Sequence, residues 1–140
     1  MGKSDLQEKT ILVTGGAGFI GTNFIYHVMG TTPLWRIVNL DALSCGGNPA
    51  NLDGLPDHAR QRYRFVHGKV QDSVLLDRLF AEERFAGVFH FAAQTHVDRS
   101  ITDPEDFVDS NVVGTFRLLE TCLKYWRRGF LNPAFRMVHI

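Results

Sequence analysis

A glycine-rich run near the start of the chain has the composition of a phosphate-binding loop. The run reads Gly15-Gly16-Ala17-Gly18-Phe19-Ile20-Gly21. Glycine allows a tight turn, lets the backbone approach an anion closely and allows a helix to pack closely on a strand. A helix that begins inside such a run leaves its first backbone N–H groups without partners in the helix. Because those groups can bind an anion, the run could hold the pyrophosphate of a dinucleotide.

A carboxylate follows the glycine run at the spacing of a ribose-binding residue. Asp41 lies twenty residues after Gly21, where an acidic side chain of dinucleotide-binding folds accepts hydrogen bonds from ribose hydroxyls. An acid at this position also repels a ribose 2′-phosphate, so the pattern favours NAD over NADP. The alternative interpretation is a glycine turn beside a capping aspartate.

The histidines and cysteines do not have the spacing of a metal site. The six histidines are scattered, and none forms a His-x-x-x-His pair or a cluster with cysteine. Cys45 and Cys122 are far apart and have neither metal-binding nor redox spacing. We therefore predict that no metal is bound.

Short apolar runs alternate with amphipathic stretches along the chain, as in βαβ units. Strands are predicted at residues 10–14, 35–40, 62–66, 87–91 and 135–140, and helices at residues 19–29, 73–83 and 103–126. Loops are predicted at residues 41–58 and 92–102. The glycine run then stands between a strand and a helix, as the phosphate-binding role requires. We predict one Rossmann-type α/β domain over residues 1–140, a doubly wound parallel sheet with strand order 3-2-1-4-5, and a crevice beside the first strand.

The last predicted helix begins at Asp103 and ends at Trp126. Asp103 can cap it, Pro104 stands in its first turn, and acids follow at the positive end of the helix dipole. Gly114 is expected to approach the sheet closely. We predict that the buried stripe of this helix contains Val108, Val112, Thr115, Leu119, Leu123 and Trp126.

The charge and the length exclude several classes of partner. The 140 residues include 15 basic and 15 acidic side chains, and this neutral balance argues against nucleic acid as a partner. No apolar run approaches the length of a membrane span, and the first residues lack the apolar core of a signal peptide. We expect a cytoplasmic protein with a small ligand and no membrane contact.

Four stretches of the sequence carry a family resemblance. The first is similar to the extended short-chain dehydrogenase/reductase family as a whole, including its sugar epimerases and decarboxylases. The third is most similar to the dTDP-glucose 4,6-dehydratases within that family. In chain order, the stretches are Leu12-Val13-Thr14-Gly15-Gly16-Ala17-Gly18-Phe19-Ile20-Gly21, Val38-Asn39-Leu40-Asp41-Ala42-Leu43, His90-Phe91-Ala92-Ala93-Gln94-Thr95-His96-Val97-Asp98-Arg99-Ser100 and Asn111-Val112-Val113-Gly114-Thr115.

The resemblance implies an activity and a cofactor. Enzymes of this kind hold NAD tightly and oxidise C4 of a nucleotide-linked glucose, after which water leaves across C5 and C6 and the hydride returns to C6. The substrate implied is a nucleotide sugar such as dTDP-glucose. In this family, the helix from Asp103 to Trp126 commonly contributes to a dimer interface, so the resemblance also implies a homodimer.

The resemblance also implies which residues bind the cofactor. The pyrophosphate would be bound by Gly15, Gly18 and Gly21 with the backbone of Phe19 and Ile20. Asp41 would bind the adenosine ribose, and the loop over the cofactor would begin with Ala42, Leu43 and Ser44. The nicotinamide side would be lined by Phe91, Ala92, Ala93 and Thr95, with Thr95 also near the sugar and Ser110 near the cofactor.

One position departs from the family at the adenine site. The family has an aspartate that accepts a hydrogen bond from the adenine amino group where this chain has Lys69. A lysine ammonium has three donors and no acceptor, so it cannot replace the aspartate. We expect weaker adenine recognition, with the backbone of Val70 or a water molecule compensating in part.

The catalytic pair implied by the resemblance is not found in this chain. In the family, a Tyr-x-x-x-Lys pair follows the fifth strand; the tyrosine is the base for the C4 hydroxyl, and the lysine lowers its pKa. The residues four positions after Tyr26, Tyr63 and Tyr125 are Gly30, His67 and Gly129. We therefore expect no catalytic residue here and an NAD-binding portion, truncated after its fifth strand, that does not turn over alone. The alternatives are a non-catalytic dinucleotide-binding or subunit-interaction protein and a sugar epimerase remnant.

Overall fold

The structure, a computed structural model, describes residues 8–44 and 46–140. Its strands are β1 (Lys9–Thr14), β2 (Trp35–Asp41), β3 (Tyr63–His67), β4 (Gly87–His90) and β5 (Arg136–His139). They form one five-stranded parallel sheet in the order β3-β2-β1-β4-β5. This order confirms the predicted Rossmann-type α/β fold, and it reverses beside β1.

Helices cover both faces of the sheet. They are α1 (Phe19–Thr31), α2 (Asp57–Arg60), α3 (Ser73–Glu82), α4 (Val97–Thr102), α5 (Pro104–Phe107) and α6 (Thr115–Arg127), with a 3-10 turn at Pro49–Leu52 and a π-helical segment at Val108–Gly114. Within residues 8–44 and 46–140, no helix is both long and apolar enough to cross a membrane.

Two apolar cores lie on opposite faces of the sheet. Ile11 and Val13 of β1 pack with Ile25 of α1 on one face. Leu12 packs on the other face, in a cluster that contains Leu79 of α3 and Leu118 of α6. Because alternate residues of β1 enter different cores, the strand reads as a continuous apolar run.

The prediction of which residues of the last helix are buried is wrong. The side chains of α6 that are buried are Leu118, Thr121, Cys122 and Tyr125, and the Tyr125 hydroxyl donates to the Asp77 carbonyl of α3 at 2.9 Å. The helix is apolar on two faces, and spacing alone does not determine which face meets the sheet. Gly114 is buried and Thr115 is half-buried. Exposed fractions of 43% to 61% are found instead for Val108, Val112, Leu119, Leu123 and Trp126.

Three further local predictions, two of them for the same helix, also need correction. The helix is not uniformly α-helical from Asp103, because the π-helical segment separates α5 from α6. Asp103 makes no capping hydrogen bond through its side chain. The predicted loops are not free of helix: α4 lies within residues 92–102, and the 3-10 turn and α2 include residues of the stretch 41–58. The polar composition of these stretches hides short helical turns, which need few apolar residues.

Candidate functional site

A cavity of about 510 Å³ opens at the carboxyl ends of the strands, beside β1. This volume is in the range of about 300 to 1,000 Å³ that is usual for small-molecule sites. The segments after β1, β2, β3 and β4 all contribute to the wall. The place where the strand order reverses is also where open α/β sheets bind their ligands.

Fourteen of the sixteen residues proposed from the sequence lie in this wall. They are Gly15, Gly18, Phe19, Ile20, Gly21, Asp41, Ala42, Ser44, Val70, Phe91, Ala92, Ala93, Thr95 and Ser110. Leu43 and Lys69 are neighbours of wall residues and do not line the cavity themselves. The wall also contains residues that sequence reasoning missed, namely Leu40, Gly46, Gly47, Gly68, Gln71, His96 and Ile140. Gln71 and His96 directly follow predicted residues, and His96 also lies within the third stretch of family resemblance.

Two glycines of the run are required by close backbone contacts. Gly15 has a φ of +70°, and a Cβ there would lie 2.7 Å from the backbone nitrogen of Ala92. A Cβ at Gly21 would lie 2.3 Å from the carbonyl oxygen of Gly15. Gly18 differs, because a Cβ there would meet nothing closer than 3.4 Å, and Gly18 itself lines the cavity. Gly15 and Gly21 therefore shape the loop, whereas Gly18 leaves space for a ligand.

The first turn of α1 fits an anionic group. Gly18 precedes the helix in an extended conformation, and its position provides no side-chain cap. Phe19 is 84% exposed and Ile20 is 59% exposed, and both line the cavity. The first N–H groups of a helix lack intrahelical partners, so this turn offers donors and the positive end of a dipole to a pyrophosphate.

Asp41 links the glycine run to the segment after β2. Its carboxylate is 7% exposed; one oxygen accepts from the Ala17 N–H at 2.9 Å and the other from the Leu43 N–H at 2.8 Å. Each carboxylate oxygen has a second lone pair, so these bonds leave acceptor capacity for ribose hydroxyls. The side chain thus fixes two loops and still contributes to the cavity wall.

A buried polar chain connects β1, β4 and α6 next to the cavity. The Thr115 hydroxyl donates to the Asn111 carbonyl at 2.8 Å, so its oxygen accepts from His90 Nε2, 2.9 Å away. The neutral ring then accepts at Nδ1 from the Thr14 hydroxyl, at 2.6 Å. Burial, and secondarily the positive charge that His139 can carry, lower the pKa of His90 to about 4. His90 is therefore neutral at pH 7.

The π-helical segment is fastened to the loop after β4. The Gln94 N–H donates to Asn111 Oδ1 at 2.7 Å, and Asn111 Nδ2 donates to the Gln94 carbonyl at 3.0 Å. The Ala92 N–H also donates to the Thr14 hydroxyl, at 3.3 Å. These bonds hold in place the cavity wall formed by Ala92 and Ser110. The segment that contains Ser110 is π-helical, and π-helical segments are frequent at functional sites.

The described part of the chain offers no cluster of three or more potential metal ligands. Cys45 lies outside the described residues. Cys122 is buried, and burial raises the pKa of its thiol to about 12. A thiol with that pKa is protonated and unreactive at neutral pH, so its role is packing.

The fold and the cavity define a dinucleotide-binding protein of the short-chain dehydrogenase/reductase type, and comparison with known proteins gives the family. Residues 12–140 match the family model described as GDP-mannose 4,6 dehydratase. The chain belongs to this family. It is 43% identical over 136 residues to a dTDP-glucose 4,6-dehydratase of Escherichia coli, and the match covers 93% of this chain and 36% of the relative.

Solved structures are similar over the same region. A dTDP-glucose 4,6-dehydratase from Bacillus anthracis, in complex with NAD, has a TM-score of 0.75 and 37% identity, covering 94% of this chain and 36% of that chain. A UDP-glucose 4-epimerase from Thermotoga maritima has a TM-score of 0.72 and 33% identity, covering 83% and 34%. The chain thus spans little more than a third of the length of these proteins.

Proposed function

We propose that this chain binds NAD and supplies the cofactor-binding portion of a nucleotide-sugar dehydratase. The observation that carries the proposal is one cavity in which the uncapped first turn of α1 and the Asp41 carboxylate both line the wall. A pyrophosphate and a ribose require just these two kinds of group. NAD, when bound, supplies the hydride acceptor.

Each part of the cavity has a role in this proposal. The backbone N–H groups of Phe19 and Ile20 hold the pyrophosphate, and Asp41 accepts from the adenosine ribose. Ala42, Leu43 and Ser44 begin the segment over the cofactor, and the backbone of Val70 lies at the adenine end. The nicotinamide side is formed by Phe91, Ala92, Ala93 and Thr95, and Ser110 lies near the cofactor.

The substrate proposed for the complete site is dTDP-glucose, with Thr95 as the residue of this chain that faces the sugar. The steps are oxidation at C4, elimination of water across C5 and C6, and return of the hydride to C6. These 140 residues contain no Tyr-x-x-x-Lys pair, so they supply no base for the C4 hydroxyl. By themselves they are expected to bind cofactor without turnover.

A calorimetric titration of the purified, folded chain with NAD tests the proposal. NADP is the control ligand, because the Asp41 carboxylate repels a ribose 2′-phosphate. Saturable binding with NAD preferred is the expected result. A folded chain that binds neither dinucleotide contradicts the proposal and favours a non-catalytic subunit-interaction protein.

Lys69→Asp is expected to tighten NAD binding. Lys69 is exposed beside two residues of the wall, Gly68 and Val70. An aspartate there could accept a hydrogen bond from the adenine amino group, worth roughly a three- to tenfold gain in affinity. Calorimetry measures the gain. Lys69→Ala is the control, because it removes the ammonium group without adding an acceptor; equal affinities for the two variants would contradict this role of position 69.

We also propose that the chain forms a homodimer through the apolar stripe on its last helix. The stripe is defined as Val108, Val112, Phe116, Leu119, Leu123 and Trp126, each between 43% and 61% exposed. These residues recur at helical spacing along the π-helical segment and α6, so they form one continuous face. Contiguous exposed apolar surface of this kind marks an interface rather than a solvent-facing helix.

The double variant Leu119→Asp/Leu123→Asp is expected to be monomeric where the wild type is dimeric. Two carboxylates buried in the interface would weaken the dimer by at least roughly a hundredfold. Sedimentation equilibrium measures the change. Val74→Asp is the control, since Val74 is an exposed apolar residue on α3. A monomeric wild type, or a double variant that still dimerises, would contradict the proposed interface.

A further inference from the structure

Asn39 is a buried amide located beneath the glycine run. It belongs to β2, has an exposed fraction of 0%, and accepts at Oδ1 from the Gly16 N–H at 3.0 Å. Its Nδ2 donates to the hydroxyl of Tyr63, on β3, at 2.9 Å. Neither side chain lines the cavity, so any effect they have on a ligand must act through the loop.

The hydrogen bonds fix the orientation of the Asn39 amide. A backbone N–H can only donate, so the amide oxygen has to face Gly16 and the amide nitrogen has to face Tyr63. The Tyr63 hydroxyl supplies the acceptor on that side. Burial, the largest cause, and Asp41 raise the pKa of Tyr63 above its usual value, which keeps the hydroxyl protonated at neutral pH.

Gly16 is held from two directions. A Cβ at this position would lie 2.3 Å from Asn39 Oδ1 and 2.6 Å from Ile25 Cδ1, so the loop rests directly on the amide. The Gly16 carbonyl accepts from the Thr22 hydroxyl of α1 at 3.1 Å. Both peptide groups of Gly16 are therefore anchored, and the backbone leading into the first turn of α1 is set before any ligand arrives.

We propose that Asn39, oriented by Tyr63, is a positioning residue that presets the glycine run for pyrophosphate binding. This inference rests on the proposed binding of NAD. A loop that already has its bound conformation loses less conformational entropy when the ligand binds. The buried Asn39–Tyr63 pair thus contributes to NAD affinity without touching the cofactor.

Asn39→Asp provides a test that depends on protonation. A protonated aspartic acid has one acceptor oxygen and one donor, as the amide has, so it can bond both Gly16 and Tyr63. The carboxylate can still accept from the Gly16 N–H and from the Tyr63 hydroxyl, which then donates, but it adds a negative charge beside a loop that binds an anion. The ionisable groups near Asn39 are Tyr63, on β3, and Asp41, on β2 itself. Both are also present in the wild type, so the wild type shows any pH dependence that they cause.

The measurement is NAD affinity at pH 5 and pH 8 for the wild type, Asn39→Asp, Tyr63→Phe and the control Gln61→Glu. Gln61 is exposed at the end of α2 and does not line the cavity, so its variant makes the same change from amide to carboxyl away from the glycine run. At pH 8, we expect Asn39→Asp to bind at least about tenfold more weakly than the wild type and to recover most of this loss at pH 5. The wild type and Gln61→Glu should show no such dependence.

Tyr63→Phe is expected to bind about two- to fivefold more weakly at both pH values, because the amide loses the acceptor that orients it. If circular dichroism shows that Asn39→Asp does not fold, the NAD affinity of Tyr63→Phe tests the positioning role in its place. Folded variants with wild-type affinity at both pH values overturn the positioning role and leave the proposed function intact. A wild type that does not bind NAD overturns both.

Discussion

Gly18→Val is expected to abolish NAD binding while leaving the fold unchanged. A Cβ at this position would meet nothing closer than 3.4 Å within the protein, and Gly18 itself lines the cavity. The pyrophosphate requires close approach of the backbone there, which a valine blocks. The loss should be at least about a hundredfold, or roughly 2.7 kcal/mol of binding free energy. Calorimetry measures it, and circular dichroism checks the fold.

Two other glycines separate this effect from a general effect of substitution. Gly30 of α1 has no atom within 4 Å of its Cβ position, so Gly30→Val should bind NAD as the wild type does. A Cβ at Gly21 lies 2.3 Å from the Gly15 carbonyl, so Gly21→Ala should lose binding together with stability. If Gly18→Val bound NAD with wild-type affinity, the first turn of α1 would not be the pyrophosphate site.

The strand order and the pairing of the glycine run with Asp41 could be predicted because they depend on short-range patterns, whereas most of the remaining cavity wall was implied by the family resemblance. A glycine run between a strand and a helix, with Asp41 at the end of the next strand, admits few arrangements. The missed wall residues Gly46, Gly47 and Gly68 lie in connecting segments whose paths depend on tertiary contacts. Nothing in their spacing distinguishes them from glycines of ordinary turns.

The supporting layer beneath the cavity could not be predicted for a related reason. Asn39 lies in the apolar run of β2, and His90 lies in that of β4. Sequence patterns identify strand residues as buried without showing which hydrogen bonds they make across the sheet. Likewise, the helix from Asp103 has apolar residues on two faces, and only the packing of α6 against α3 shows which face is internal.

The stability of the fold is expected to depend on the protonation of His90. The ring is fully buried and its pKa is lowered to about 4, whereas an unfolded histidine has a pKa of about 6.5. Above pH 6.5 the ring is neutral in both states, so its full contribution to stability is present. As the pH falls from about 6.5 to about 4, the unfolded state binds a proton that the folded state does not, and up to about 3 kcal/mol is lost. Urea unfolding at several pH values measures this.

His90→Gln isolates that loss from the titration of the carboxylates. Glutamine does not ionise, so this variant should be less stable than the wild type at pH 7, and the difference should shrink towards pH 4.5. The ring centroid of His139 lies 4.9 Å from that of His90. Because His139 helps to lower the pKa of His90, His139→Gln should raise the folded pKa of His90 slightly and so reduce the stability that is lost as the pH falls. A difference between wild type and His90→Gln that stays constant with pH would mean that His90 accepts a proton in the folded state as readily as in the unfolded one. The chain from Thr14 through His90 to Thr115 would then not require a neutral ring.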